Sequence, residues 1–127
     1  MRLTYCTLAG VLLLGTAATL ADERSSTQDA VALSPQYYVV KADDARVRVL
    51  EYRLKPGQKE AMHNHPAYVV YFFGPGKLRV TFGDGKTTES TVTEGEVVVR
   101  DPLTHALENI GTTEVRALLV ELKDTSR

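Results

Sequence analysis

A chain of 127 residues, of which 43% are hydrophobic and 24% charged, has the length and composition of one globular domain. The formal net charge is only −1 and no long basic run is present, so the sequence offers no clustered Lys/Arg face for nucleic-acid phosphates. We therefore expect no nucleic-acid partner.

Residues 1–21 have the pattern of a secretory signal peptide. Arg2 gives a short positive start, the stretch from Leu8 to Leu20 is apolar and uncharged, and Ala21 completes a small-residue cleavage site. An uncleaved anchor is the alternative, but the apolar stretch is shorter than the ~20 residues that a spanning helix needs. We predict cleavage, export (to the periplasm in a bacterium, otherwise secretion) and no membrane association of the mature chain.

Residues 22–35 are mostly small and polar, and they are predicted to form a flexible leader ahead of a domain that spans residues 36–124. The single cysteine, Cys6, lies in the signal segment. The mature chain would therefore lack both disulfides and a catalytic thiol, so its core, or core plus metal, must stabilise the fold.

From residue 36 onward, short apolar or alternating runs are separated by turn residues, as in antiparallel β-structure. The runs are 36–41, 46–54, 68–73, 78–82, 87–92, 97–99 and 115–122. Gly83-Asp84-Gly85 is a strong hairpin signal between two of them. No segment after the signal has a convincing helical period. We predict an all-β fold, either a sandwich or a single small antiparallel barrel.

The apolar phase slips within the run 46–54. Val47 and Val49 share one face, whereas Leu50, Tyr52 and Leu54 share the other. A bulge in this strand, or a strand buried on both faces, would explain the slip.

The chain has three histidines, and two of them, His63 and His65, stand one residue apart. In an extended strand, residues i and i+2 share a face, so both imidazoles would project into the same space. Two neutral imidazoles on one face form half of a typical metal site, and His105 could complete it from a neighbouring strand. An isolated HxH pair is also compatible with a solvated strand edge, so the surrounding pattern has to decide.

That pattern resembles the first motif of the cupin superfamily. Gly57 is followed after five residues by His63-x-His65, then by three residues and Val69, and then by six residues and Gly76. Most cupins carry a glutamate ligand where Val69 stands.

A looser form of the second cupin motif follows. Gly95 opens it, Pro102 lies in its turn, His105 occupies the position of the ligand histidine, and Asn109 comes four residues later. The glycine expected just before this histidine is absent, and the interval from Gly95 to His105 is one residue shorter than usual.

The resemblance implies a jelly-roll β-barrel of the cupin type (a double-stranded β-helix) with a metal inside it, held by His63, His65 and His105. The replacement of glutamate by Val69 implies an all-histidine site for one divalent transition metal. Cupins with three histidines and Fe(II) include thiol and diketone dioxygenases, so Fe(II) is the expected ion. Zn, Mn, Ni and Cu remain alternatives because the ligand type alone does not select among them.

Tyr71 is the predicted catalytic residue. Alternation from an inward Val69 would place Tyr71 and Phe73 on the pocket face, where the Tyr71 hydroxyl could hydrogen-bond a substrate. A core tyrosine with a satisfied hydroxyl is the alternative. Asn109 is expected to orient a turn or a ligand histidine.

Two functions follow from the resemblance. One is a metal-dependent enzyme, an oxygenase such as a dioxygenase acting on a small organic molecule. The other is a non-catalytic module that binds a small ligand or a metal outside the cytoplasm. Histidines that bind nothing are a third, weaker interpretation. Because cupins are often dimers, we also expect a homodimer, with the Tyr/Val-rich run at residues 37–40 as the edge available for pairing.

Overall fold

The computed structural model describes residues 28–124, and the predicted signal peptide (1–21) and the start of the predicted leader (22–27) lie outside these residues. Nine strands dominate the described part, which confirms the all-β prediction. Within it no helix is long and apolar enough to cross a membrane. The elements are α1 (Ala30–Leu33), a 3-10 turn (Pro35–Tyr37), β1 (Tyr38–Asp43), β2 (Val47–Leu54), β3 (His63–His65), β4 (Tyr68–Phe72), β5 (Gly76–Phe82), β6 (Thr87–Val92), β7 (Val97–Arg100), β8 (Leu103–Asn109) and β9 (Val115–Leu122).

The strands form two sheets in which every pairing is antiparallel. The five-stranded sheet has the order β1-β2-β9-β4-β7 and the four-stranded sheet the order β3-β8-β5-β6. Over the described residues the hydrogen bonds do not close into one cylinder. One hydrophobic core takes residues from both sheets, among them Leu50, Val115 and Leu119 from the larger sheet and Leu78 and Val92 from the smaller.

The phase slip in the run 46–54 does not come from a bulge in β2. This strand pairs with β9 without interruption from Val47 to Leu54. The register shift lies instead in its neighbour β1, between Val40 and Ala42. The inward residues of β2, such as Leu50, are buried, while Val49 on the opposite face is half-buried. The second explanation, a strand buried on both faces, is not confirmed either, because the outer face of β2 is half-buried at Val47 and Val49 and exposed at Arg53.

Residues 28–35 are folded onto the domain, although we expected them to belong to a flexible leader. Asp29 caps α1, since its carboxylate accepts hydrogen bonds from the backbone N–H groups of Val31 and Ala32 at 3.0 and 3.1 Å. Ala30 and Ser34 are fully buried. The carbonyl of Gln28 accepts a hydrogen bond from the Asn64 N–H at 2.7 Å. A local cap and long-range contacts thus offset the weak hydrophobicity of this segment.

Strand β1 forms one edge of the five-stranded sheet. Val39 and Val40 on it are 56% and 45% exposed. The homodimer expected through this edge stays a prediction.

Candidate metal centre

The pairing of β3 with β8 brings the three predicted histidines together. His63 lies directly opposite His105, and His65 lies two residues along the same face of β3. All three are buried. Each offers one ligand atom, and these atoms lie within 4.8 Å of one another.

Hydrogen bonds to the Nδ1 atoms fix how two of these rings are protonated. Nδ1 of His63 lies 2.8 Å from the Ala61 carbonyl oxygen, and Nδ1 of His65 lies 2.6 Å from Oε1 of Glu121. Both oxygens accept, so in each ring Nδ1 carries the proton. A neutral imidazole has a single N–H group, and each Nε2 therefore presents a lone pair. When both rings are neutral, two lone pairs face each other across the 2.9 Å between these Nε2 atoms.

The ring of His105 has a nitrogen without a hydrogen-bond partner in the described part of the chain. Nε2 of His105 is buried and has no hydrogen-bond partner among residues 28–124. Leaving a buried polar atom unpaired costs about 1–3 kcal/mol, so such atoms usually have a partner.

A divalent transition metal fits this donor set. Nitrogens that share an ion at about 2.0–2.1 Å lie about 2.8–3.4 Å apart for angles between about 90° and 109°. The 2.9 Å separation of the His63 and His65 Nε2 atoms lies within that range. A shared cation would also give the lone pairs and the unpaired His105 nitrogen a partner. Imidazole suits several ions, so the donor set does not choose among them.

The surroundings keep the rings neutral. Burial, followed by the neighbouring His65, lowers the pKa of His63 to about 4. Burial, followed by the other two histidines, lowers the pKa of His105 to about 3. Both rings are therefore uncharged at neutral pH, as metal ligation requires.

Glu121 supports His65 from the opposite sheet, and sequence reasoning missed it. Its second oxygen accepts a hydrogen bond from Nε of Arg48 at 2.6 Å. Nη2 of Arg48 in turn donates a hydrogen bond to Oδ2 of Asp29 at 2.5 Å. Burial alone would raise the pKa of Glu121, but the hydrogen bonds from His65 and Arg48 hold it below its usual range. The signal was present, since Glu121 is a charged residue in the buried phase of β9.

Glu60 is a second buried carboxyl group that the sequence did not reveal. Its Oε2 accepts a hydrogen bond from the Tyr38 hydroxyl at 2.8 Å. Its Oε1 is buried without a hydrogen-bond partner among the described residues and lies 3.9 Å from Nε2 of His63. Burial raises the pKa of Glu60 to about 8.

A cavity of about 570 Å³ adjoins the histidines, and His105 forms part of its wall. Arg100 contributes a cation to this wall, and Glu89, Glu96 and Asp101 contribute carboxylates. The apolar lining includes Val70, Phe72, Leu78, Val80, Phe82, Leu103 and Leu107.

The predicted orientation of Val69 and Tyr71 is wrong. Tyr68, Val70 and Phe72 are the buried residues of β4, whereas Tyr71 is 40% exposed. Val69 pairs with Val99, which is 70% exposed on the outer face. The cause lies at residues 66–67, where the chain leaves the four-stranded sheet after β3 and enters the five-stranded sheet at β4. The alternation of inward and outward side chains in β3 therefore does not predict which residues of β4 face inward. Tyr71 therefore faces away from the histidines, and we assign it no role in the site.

Asn109 orients a turn, the first of its two predicted roles. Its Nδ2 donates to the carbonyls of Leu54 and Thr113, both at 2.8 Å, and its Oδ1 accepts from the Gly111 N–H at 2.9 Å. The side chain is buried, so these bonds join the end of β8 to the end of β2.

Comparison with known proteins agrees with this architecture. Residues 50–121 match the family model described as the cupin domain. The chain belongs to the cupin domain family, as the motifs predicted. No curated protein matches the chain in sequence.

Several solved structures resemble the chain. A cupin domain from Bordetella pertussis Tohama I is 30% identical over 68% of this chain and 92% of its own, with a TM-score of 0.63. An uncharacterized protein with a double-stranded β-helix domain from Klebsiella pneumoniae is 20% identical over 72% and 81%, with a TM-score of 0.57. A cupin superfamily protein from Desulfitobacterium hafniense is 16% identical over 68% and 76%, with a TM-score of 0.54. The last two show the fold alone.

Proposed function

We propose that this chain is an exported cupin that holds one divalent transition metal on His63, His65 and His105 and binds a small organic molecule in the adjoining cavity. The convergence of two Nε2 lone pairs at 2.9 Å carries this proposal. Two lone pairs at this distance repel each other. A cation between them would replace that repulsion with attraction to both.

The cavity supports a small, largely apolar ligand with one polar group. Its walls are mostly aliphatic and aromatic, which favours burial of a hydrocarbon body. Arg100 can pair with a carboxylate or a phenolate on that ligand. Because His105 belongs both to the wall and to the histidine cluster, a ligand in the cavity would lie against the metal centre.

The proposed activity is an oxygenase reaction with Fe(II) on such a ligand. A bound ion would supply Lewis acidity and, if it is Fe(II), access to O2 chemistry. The protein's own part is to keep the imidazoles neutral, to exclude water with apolar walls, and to orient His65 through Glu121. The alternative is a binding module that uses the same site without turnover.

Metal analysis tests the first part of the proposal. Protein purified from its native compartment should contain about one divalent transition metal per chain, and His63→Ala, His65→Ala and His105→Ala should each lose it. Retention of metal by all three variants would refute the site. Mass spectrometry of the same material tests export, because a new N-terminus near Asp22 is expected and an intact Met1 would contradict it.

Oxygen uptake separates the two functions. The Fe(II)-loaded protein should consume O2 with a small diketone, thiol or phenol, and the Zn(II)-loaded protein should not. A binding module would instead show ligand-dependent increases in melting temperature with no turnover under any metal.

A further inference from the structure

We propose that Glu60 is a fourth protein ligand to the metal, so that the site contains a carboxylate despite the valine at position 69. This inference rests on the proposed metal site and deepens it. It would add a carboxylate to the all-histidine donor set that the sequence predicts.

The position of Oε1 is the first argument. It lies 3.9 Å from Nε2 of His63, too far for a hydrogen bond, and neither atom therefore satisfies the other. Two atoms that share an ion at about 2.1 Å lie about 3.4 Å apart at a tetrahedral angle, so Oε1 would have to move about 0.5 Å toward His63 to share an ion with its Nε2.

The second argument is that Oε1 makes no hydrogen bond of good geometry within the described chain, although the hydroxyl of Tyr52, which is also buried without a partner there, lies close enough to Glu60 to lower its pKa. Glu60 is 3% exposed, and Oε1 has no hydrogen-bond partner among residues 28–124. Among residues 28–124 no Lys or Arg is paired with Glu60. Glu60 and His105 each carry a buried, unpartnered polar atom, and both residues border His63, since His105 is its strand partner.

Tyr38 fixes which oxygen is available, and it acts as a positioning residue. Its hydroxyl donates to Oε2 at 2.8 Å, which leaves Oε1 on the side of His63. Tyr38 belongs to β1 in the five-stranded sheet, whereas Glu60 lies three residues before the start of β3 in the four-stranded sheet. The carboxylate is thus held from the opposite wall of the fold, and ligation through a single oxygen is expected.

An ionised Glu60 on the metal would change what the site attracts. Three neutral imidazoles leave the full charge of a divalent ion uncompensated, whereas one carboxylate removes half of it. The site should then favour a neutral or singly charged group on the ligand over a multiply charged anion.

Titration of chelator-stripped, full-length protein with Co(II) tests the inference. Glu60→Gln keeps the shape and a hydrogen-bond acceptor for Tyr38 but removes the anionic donor. We expect Co(II) affinity to fall by about 100-fold or more, beyond the usual range for loss of an outer-shell partner. We also expect the visible d–d spectrum to change, since it reports the number and type of ligands.

Two matched variants make the result specific. Glu108→Gln removes a half-buried carboxylate from the same strand as His105, one that pairs with Arg79 at 3.1 Å, and it should leave affinity and spectrum unchanged. Tyr38→Phe should weaken binding modestly and keep the parental spectrum. A merely structural Glu60 would instead leave the Co(II) spectrum of Glu60→Gln the same as that of the parent.

The outcomes separate this inference from the proposed function. If the parent and Glu60→Gln bind Co(II) with equal affinity and identical spectra, the metal site stands and the fourth ligand is refuted. If the parent binds no metal, both fail. If Glu60→Gln does not fold, a crystal structure of the Zn(II)-loaded parent decides. An Oε1–zinc distance of about 2.0–2.2 Å supports ligation, and one beyond about 3 Å overturns it.

Discussion

The hydrogen bond between His65 and Glu121 joins the two sheets at the candidate metal centre. His65 lies on β3 in the four-stranded sheet and Glu121 on β9 in the five-stranded sheet, and Nδ1 and Oε1 are 2.6 Å apart. A carboxylate that accepts from Nδ1 holds the ring and raises the basicity of Nε2, the arrangement found behind many metal-bound histidines. The orientation of this ligand therefore depends on the packing of one sheet against the other.

Removal of the Glu121 charge should weaken metal binding without emptying the site. For Glu121→Gln we expect affinity to fall about 10–100-fold, because the amide is a poorer acceptor for His65 and also leaves Arg48 with one carboxylate partner fewer. Competition with a chromophoric chelator measures the change. Glu114→Gln is the control, since within residues 28–124 Glu114 pairs only with the exposed Arg53, at 3.4 Å. Parental affinity in Glu121→Gln would contradict the supporting role.

The metal-free protein should be most stable near pH 6.5. The folded-state pKa of His63 is about 4 and that of His105 about 3, against 6.5 when unfolded, so their contribution is present above 6.5 and is lost as pH falls. The folded-state pKa of Glu60 is about 8 against 4.5, so its contribution is present below 4.5 and is lost as pH rises through about 8. Between pH 4.5 and 6.5, a rise in pH increases stability through the two histidines and decreases it through Glu60. The two histidines have the larger effect, so the free energy of unfolding rises up to about pH 6.5.

Urea unfolding of chelator-stripped protein at several pH values measures this profile. The free energy of unfolding should decline on both sides of the maximum, and Glu60→Gln should flatten only the alkaline side. An alkaline decline that persists in Glu60→Gln would show that another group is responsible.

Val69→Glu and Val70→Glu should behave oppositely, although they are neighbours. Val69 faces outward beside the exposed Val99, so Val69→Glu should leave metal affinity unchanged and stability within about 1 kcal/mol. Val70 is 7% exposed and lines the cavity, so Val70→Glu should destabilise the fold by several kcal/mol because it buries a carboxyl group. Thermal unfolding and zinc titration provide both readouts. Tighter zinc binding by Val69→Glu would restore the original motif alignment.

Asp29→Ala tests the contribution of the N-terminal segment. The substitution removes the cap of α1 and one of the two carboxylates that hold Arg48. We expect a loss of about 1–2 kcal/mol of stability and a modest loss of metal affinity transmitted through Glu121. Arg46→Ala, at a side chain that is 81% exposed, should change neither. Equal stability of Asp29→Ala and the parent would show that the segment packs without this anchor.

The sequence predicts features that depend on local period and misses those that depend on distant partners. Alternation placed His63 and His65 on one face, and the motif spacing identified His105. The same alternation failed at Val69 because the chain changes sheets at residues 66–67. Glu121 was missed because its partner in the site lies 56 residues away.

The N-terminal segment was a different kind of failure. Asp29 followed by Ala-Val-Ala-Leu is a recognisable cap and short helix, but low hydrophobicity and many polar residues nearby favoured a leader. Burial of Ala30 and Ser34 against the domain cannot be read from composition.

Strand β3 is only three residues long and lies at the edge of its sheet, yet it carries two of the three histidines. Its free side is covered by the residues just before α1, through the Gln28–Asn64 hydrogen bond and a bridge between Asp29 and Asn64. A recombinant domain trimmed to residue 36, the boundary suggested by the sequence, would leave that edge bare. Such a truncation would be a poor choice for crystallography or metal assays, because it would expose a strand prone to intermolecular pairing and loosen two ligands together.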